Sequence, residues 1–315
     1  PSKAQAEEGF ARENAAGIEL TASNRNYKDD NHKPELIVAL TEFYAMAGFR
    51  PLEQTRRLFT ALECPELDHY VSMLADEPEA EGDNLRALFT TWITIPGAKR
   101  KELIAAVVAA GERLRDQGAG EEWMGMVMGT VAKLNEQYPG DIGVLGALLL
   151  NHIVLQPGEA VYLNAGELHA YVSGLGVEIM ANSDNVLRGG LTPKFVDVPE
   201  LVKVLTYSAA KDPRVPQVDK STQSNVHGAQ AWSYPVPIEE FALDRVELTG
   251  EESVDVDFDG PVIVLCTSGA VDVNNERDES VALSAGHAAW IPAGDPAASV
   301  RAAGKNSAQV FIARV

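Results

Sequence analysis

The stretch LQPGEAVYLNAG, residues 155–166, recurs as LSAGHAAWIPAG at residues 283–294, and this repeat is the main indication of the fold. The two copies match over twelve positions at a constant offset of 128 residues, so that Gly158 corresponds to Gly286. A glycine turn, a short apolar strand and a second glycine turn are typical of antiparallel β structure. Because such motifs are common, a chance match is the alternative. Taken as a repeat, the pattern predicts two related β units.

Only the first copy is followed by residues that could take part in catalysis or bind a metal. It runs on as ELHAY, residues 167–171, whereas the counterpart of His169 in the second copy is Ala297. If the copies are homologous, we expect the reactive site in the first unit alone.

Between the two β regions the apolar residues recur at helical spacing. Over residues 51–138 they are typically three or four positions apart, as in one series: Leu103, Val107, Ala110 and Leu114. This spacing predicts an all-helical insert. The polar stretch 212–230 contains two prolines and has no period, which predicts a connector between the β units.

Composition narrows the classes of partner. The formal net charge of −20 repels nucleic acid and anionic membranes, and the longest apolar runs are too short to span a bilayer. Two widely separated cysteines, Cys64 and Cys266, suit a reducing compartment. We therefore expect a cytoplasmic protein with no nucleic acid or membrane partner; that it is a monomer is a prediction that does not follow from composition. Because the chain starts at Pro1 without an initiator methionine or an apolar signal, we interpret it as a fragment or a processed product.

The segment NHKPELIVAL, residues 31–40, places a cation beside a carboxylate. Pro34 favours an extended conformation for Lys33, and the strand that follows puts Lys33 and Glu35 on one face. Both faces are largely apolar, so the strand is predicted to be buried, where each charge needs a partner. A simple ion pair at a strand start is the alternative to a reactive site.

A second candidate segment is YLNAGELHAYVSG, residues 162–174. In an extended chain His169 and Tyr171 lie on one face just past a glycine turn. Imidazole and carboxylate are natural Zn²⁺ ligands, although a lone histidine on a strand is more often a hydrogen-bonded structural residue. A catalytic zinc site also needs about three protein ligands, and one histidine and one glutamate supply only two.

A third segment is NSDNVLRGGLTPKF, residues 182–195. Arg188 and Lys194 bracket a Gly189–Gly190 pair, and such a loop lets a basic side chain and backbone amides approach an anion. A solvated loop with incidental charges is the alternative.

Taken together, these segments resemble the type I phosphomannose isomerases. The family pattern YLxAxxxHAYxxG…SDNVxRxGLTPK is reproduced almost completely by residues 162–194, NHKPE stands at residues 31–35, and PSKxQAxxGFxxE opens the chain. The resemblance covers the whole chain and is faint after about residue 225.

The resemblance implies an isomerase that interconverts mannose 6-phosphate and fructose 6-phosphate by metal-assisted proton transfer through a cis-enediol. In the family one Zn²⁺ per chain is held by four ligands, of which two carry over to Glu35 and His169. The other two, a glutamine and a histidine, are expected immediately before Pro1. A non-catalytic or inactive truncated protein that binds sugar, or has a structural role, is the alternative.

We assign the remaining candidates by chemistry and by the resemblance. Arg188 is expected to stabilise the enediolate or the phosphate because guanidinium binds oxyanions in a fixed fork. The predicted proton-transfer candidates are Lys33, His32 and Asp184, with Lys33 best placed beside Glu35. The predicted substrate-binding residues are Lys194, Tyr171, Lys3 and Glu178.

The implied fold is mainly β with an α insert: two cupin-type β-barrels, the first incomplete at its N-terminus, plus a helical domain. The first barrel is predicted in two parts, residues 1–50 and 139–211, with the helical insert at 51–138 between them. A connector at 212–230 leads to a second barrel without metal at 231–315.

Overall fold

The computed structural model describes residues 1–74, 80–209 and 212–315. In these ranges helices and strands alternate in blocks. The α-helices are α1 (Lys3–Ala15), α2 (Leu52–Leu62), α3 (Asp68–Val71), α4 (Glu81–Ile93), α5 (Gly97–Asp116), α6 (Glu122–Gln137), α7 (Ile142–Gly146) and α8 (Val198–Val204), with one 3₁₀ turn at Pro65–Leu67.

The first β unit has two small antiparallel sheets. Its strands are β1 (Glu35–Ala39), β2 (Phe43–Phe49), β3 (Leu150–Leu155), β4 (Ala160–Leu163), β5 (His169–Ser173), β6 (Gly176–Met180) and β7 (Arg214–Val215). One sheet has the order β6-β1-β4-β7 and the other β3-β2-β5. Strand β1 is buried along its whole length, as its apolar residues on both faces predict.

The second β unit has two larger antiparallel sheets. Its strands are β8 (Val218–Asp219), β9 (Val226–His227), β10 (Gln230–Ser233), β11 (Ala242–Thr249), β12 (Ser253–Val256), β13 (Val262–Ser268), β14 (Ala270–Asn275), β15 (Ser280–Ser284), β16 (Ala288–Ile291), β17 (Ala298–Ala302) and β18 (Ser307–Arg314). The sheet orders are β16-β13-β18-β11-β10-β8 and β15-β14-β17-β12-β9.

The two units repeat the same strand order. The order β6-β1-β4 in the first unit matches β18-β13-β16 in the second, and β3-β2-β5 matches β15-β14-β17. Gly158 and Gly286, the turn glycines of the two motif copies, have φ of 89° and 88°, a conformation that favours glycine. The sequence repeat therefore corresponds to a structural repeat.

The insert is helical, as its spacing predicts. Helices α2, α4, α5 and α6 surround an apolar core, and the four residues of the periodic series are all buried: Leu103, Val107, Ala110 and Leu114. Arg50 joins this insert to the first unit: its guanidinium donates to the carbonyls of Leu148 and Leu150 at 3.1 and 2.7 Å and lies over the Trp123 ring.

Apolar residues also join the two β units. Leu36 and Val38 of β1, both fully buried, pack with Tyr234, Phe241 and Phe311 of the second unit. The outer face of the sheet that carries Glu35 is therefore covered by the second unit.

The mainly β fold with a helical insert is confirmed. Helices α1, α7 and α8 were not predicted, because all three lie outside residues 51–138. The predicted connector contains the two-residue strands β7, β8 and β9, which are too short to show a period. The predicted segment boundaries and the cupin-barrel geometry stay predictions, and the boundary at residue 211 lies outside the described residues. No helix of the described ranges is both long and apolar enough to cross a bilayer.

Candidate functional site

The NHKPE segment brings Lys33 and Glu35 together at the start of β1. Lys33 Nζ lies 3.0 Å from Glu35 Oε1, and Glu35 is only 8% exposed. Pro34 keeps the chain extended before the strand, so both side chains point to the same side, as the sequence predicts.

His169 reaches the same carboxylate from another sheet. It begins β5, which pairs with β2 so that Ala47 lies opposite His169. The imidazole Nε2 is 3.1 Å from Glu35 Oε2, and Nδ1 is 3.0 Å from the backbone carbonyl of Glu167. That carbonyl fixes the ring so that Nε2 faces Glu35.

The charges of the cluster support each other. Burial on its own raises the pKa of Glu35, but hydrogen bonds and positive charge from His169 and Lys33 outweigh it, so the pKa lies below its ordinary value. Burial on its own lowers the pKa of His169, and the hydrogen bond and charge of Glu35 reverse this, so the pKa lies above its ordinary value. The cluster is a carboxylate held between an imidazole and an amine.

A cavity of about 320 Å³ opens beside this cluster. Its wall includes Lys33, Glu35 and His169 together with the loop that carries Arg188. In the described part of the chain Arg188 makes no salt bridge, so its guanidinium is available to an anion in the cavity. Three of these four side chains are basic residues, in a protein whose formal net charge is −20.

The Arg188 loop is held against the NHKPE segment by Asn185, which is 2% exposed. Its Oδ1 accepts from the backbone amides of Lys28 and Asp29 at 2.7 and 3.2 Å, and its Nδ2 donates to the carbonyl of Asn31 at 2.8 Å. This buried amide therefore fixes the start of the loop by hydrogen bonds, three residues before Arg188.

Two predicted proton-transfer residues are not part of the described cavity wall. His32 turns away and pairs through Nε2 with Glu240 of the second unit. The side chain of Asp184 is exposed, and its backbone amide donates to Asp29 Oδ2 at 2.7 Å.

The predicted substrate-binding residues also lie outside that wall. Lys3 donates to the carbonyl of Asp30 at 2.8 Å, and Lys194 is exposed. Tyr171 is nearer, with its ring 5.9 Å from the His169 ring, and its hydroxyl donates to Glu178 Oε1 at 2.6 Å. The four roles stay predictions.

Sequence reasoning missed three polar residues of the cavity wall, Asn164, Glu167 and Asn185. Burial raises the pKa of Glu167, although its carboxylate accepts weakly from the Asn164 amide at 3.3 Å and lies near the His169 charge. The available signal was position: Glu167 stands two residues before His169 in a glycine turn.

Two family models match the chain. They are described as phosphomannose isomerase type I, catalytic domain, over residues 1–52, and helical insertion domain, over residues 62–150. The mannose-6-phosphate isomerase of Escherichia coli (strain K12) is 36% identical over 307 residues, which cover 97% of this chain and 73% of that relative. The chain belongs to the type I phosphomannose isomerase family.

Further relatives carry the same enzyme name. The mannose-6-phosphate isomerase of Schizosaccharomyces pombe is 34% identical over 89% of this chain and 70% of its own length. A crystal structure of mannose 6-phosphate isomerase from Salmonella typhimurium, bound to its substrate fructose 6-phosphate and zinc, superposes with a TM-score of 0.82 at 32% identity. It covers all of this chain, which spans 74% of that structure.

In this phosphomannose isomerase, Glu35 and His169 offer donor atoms of the kinds that zinc binds. A carboxylate oxygen and an imidazole nitrogen converge, and the second imidazole nitrogen is already engaged by a carbonyl, as metal-binding histidines require. Across the ranges that the structure describes, no group of three or more His, Cys, Asp or Glu side chains could hold a metal. Glu35 and His169 therefore stay the two predicted zinc ligands.

Proposed function

We propose that this chain is a zinc-dependent mannose-6-phosphate isomerase, which interconverts mannose 6-phosphate and fructose 6-phosphate through a cis-enediol. One observation carries the proposal: Lys33, Glu35, His169 and Arg188 surround a single cavity in a chain 36% identical to the E. coli enzyme. The substrate class follows from the Salmonella neighbour that is bound to fructose 6-phosphate and zinc.

Glu35 and His169 would hold one Zn²⁺. When bound, the metal polarises the oxygens on C1 and C2 of the open-chain sugar. Glu35 Oε2 and His169 Nε2 are already 3.1 Å apart, so both atoms can turn to one cation with little movement. The glutamine and histidine that complete the set stay a prediction of the resemblance.

Arg188 would bind the negative charge that develops in the reaction or the charge on the phosphate. A guanidinium stays charged at every working pH and offers several N–H donors in a rigid plane. It faces the cavity without a competing carboxylate among the described residues. Oxyanion stabilisation by preorganised donors is usually a large contribution to the rate.

Lys33 would move the proton. The base takes the proton from C2 of the aldose and returns it to C1, while a second proton moves between the two oxygens, so the isomerisation is balanced without another reactant. Lys33 lines the cavity, and its Nζ lies 3.0 Å from Glu35 Oε1, which gives the side chain a fixed position at the wall. His32 and Asp184 stay weaker candidates because their side chains lie outside the described wall.

The test is a coupled assay for fructose 6-phosphate formed from mannose 6-phosphate, before and after zinc removal with a chelator. We expect turnover that disappears without zinc and returns with it. Glucose 6-phosphate and unphosphorylated mannose should both give little product. Glucose 6-phosphate has the wrong configuration at C2, and mannose has no phosphate for the anion site. Saturable binding of mannose 6-phosphate with no turnover at full zinc occupancy would instead favour the sugar-binding alternative.

We propose further that the protein works as a cytoplasmic monomer. Cys64 and Cys266 are both buried and free, which suits a reducing compartment. Sedimentation analysis of the purified protein tests the monomer, and a concentration-dependent dimer would contradict it.

A further inference from the structure

The second β unit contacts the active-site segment of the first through the side chain of Glu240. This residue lies in the loop between β10 and β11, and its Oε1 binds His32 Nε2. His32 directly precedes Lys33 and lies three residues before Glu35. We infer that Glu240 is a positioning residue for the isomerase reaction, holding the His32–Lys33 segment in place; this inference rests on the proposed function.

The loop that carries Glu240 is firmly anchored to the first unit. Phe241, the next residue, is 5% exposed and packs with Leu36 and Val38 of β1. At the other end of the loop the Tyr234 hydroxyl donates to the Gly158 carbonyl at 2.8 Å. Because both ends are fixed to the sheet that contains Glu35, Glu240 has a defined position relative to the active site.

The Glu240 carboxylate is itself oriented. Its Oε2 accepts the backbone amide of Glu239 at 3.1 Å, which leaves Oε1 for His32. The hydrogen bond from His32 is the main reason that the pKa of Glu240 lies below its ordinary value. Both side chains of the pair remain partly exposed, at 34% and 23%, so the pair contributes little to global stability.

The segment needs such a restraint because its backbone has few partners. The carbonyl of Asn31 is bound by the Asn185 side chain at 2.8 Å, and the carbonyl of Pro34 accepts from Ala181 at 3.1 Å. Between them, His32 and Lys33 make no backbone hydrogen bond to any residue that the structure describes. Their positions therefore depend on two side-chain contacts, Glu240 on His32 and Glu35 on Lys33.

Kinetics of Glu240→Ala test the inference against a matched control, Glu239→Ala, which removes the neighbouring exposed carboxylate. Glu240→Ala should lower kcat about 10- to 100-fold, with KM for mannose 6-phosphate changed less than about twofold, because misplacing a reacting group affects the chemical step. Glu240→Gln should recover most of this loss, since its amide oxygen still accepts from His32. Glu239→Ala should leave kcat unchanged.

A double-mutant cycle separates positioning from general damage to the fold. In a His32→Ala background, Glu240→Ala should cause no further fall in kcat/KM, because the group through which it acts is gone. Independent, additive losses would overturn the inference, and so would an unchanged kcat in Glu240→Ala.

A readout without turnover keeps the inference separate from the proposed function. Backbone ¹⁵N order parameters of His32 and Lys33 should fall from about 0.85 to below about 0.6 in Glu240→Ala and stay high in Glu239→Ala. If the unmodified protein does not isomerise mannose 6-phosphate, the proposed function fails, yet this comparison still decides whether Glu240 holds the segment. Unchanged order parameters in Glu240→Ala would contradict it.

Discussion

Acidification should weaken the junction between the first β unit and the helical insert through one residue, His152. Its Nε2 lies 2.9 Å from the carbonyl of Ala147, where the chain returns from the insert to β3. Burial lowers the pKa of His152 to about 4, with a smaller contribution from the Arg50 charge. Arg50 and His152 both lie where the chain crosses between the insert and the first unit, so a proton on the partly buried His152 would add a second positive charge beside the buried Arg50.

The size of the effect follows from linkage. The ordinary pKa of 6.5 applies to the unfolded chain, so between pH 6.5 and pH 4 the unfolded state binds the proton and the folded state does not. The contribution of His152 to the free energy of unfolding is therefore fully present above pH 6.5 and is lost as the pH falls below that value. Between pH 7.5 and pH 5.0 this one group should cost about 2 kcal/mol of unfolding free energy.

Urea unfolding at the two pH values measures the loss. Many carboxylates also titrate below pH 5, so the comparison is with His152→Gln, whose amide can still donate to the Ala147 carbonyl. This variant should lose about 2 kcal/mol less than the unmodified protein over the same interval. His287→Gln, at an exposed histidine, serves as the control and should lose as much as the unmodified protein. Equal losses in the unmodified protein and His152→Gln would refute the reasoning.

Four further outcomes are expected. Arg188→Ala should lower kcat about 10²- to 10³-fold with zinc content unchanged, whereas Arg301→Ala, at an exposed arginine, should match the unmodified protein; an unchanged kcat removes Arg188 from the mechanism. Glu35→Gln should reduce bound zinc measured by mass spectrometry, and full occupancy would reject it as a ligand. Leu36→Ala, at a fully buried side chain between the units, should cost about 2–5 kcal/mol in urea unfolding; a loss below about 1 kcal/mol would contradict its place in the interface. Glu13→Gln should cost about 3 kcal/mol because it leaves the buried Arg25 guanidinium, 3.0 Å away, without its charge partner, and a neutral result would contradict that pairing.

Local pattern predicted the two β units and the helical insert between them. The repeated motif, with Gly158 in one copy and Gly286 in the other, indicated two β units, because a turn with positive φ favours glycine and is therefore visible in the sequence. The spacing of Leu103 and Val107 defined the insert, because a helix buries one side. Helix α1 has no periodic spacing of apolar residues, because it is polar and buries only Ala6, Gly9 and Glu13. Its hydrophobic pattern therefore gave no signal for a helix.

The candidate site was predictable in part. Lys33 and Glu35 share a strand face, so their contact follows from local geometry. The approach of His169 to Glu35 depends on how two sheets pack, and only the resemblance pointed to it. The pairing of His32 with Glu240 joins residues 208 positions apart and belongs to the packing of the two β units, which no local pattern encodes.

Zinc-edge anomalous diffraction from crystals of the protein soaked with zinc and fructose 6-phosphate tests the central claim most directly. We expect one metal peak within about 2.2 Å of both Glu35 Oε2 and His169 Nε2, with the sugar phosphate in the cavity and an oxygen within about 3 Å of the Arg188 guanidinium. A zinc peak elsewhere, or a sugar phosphate bound outside this cavity, would contradict the account.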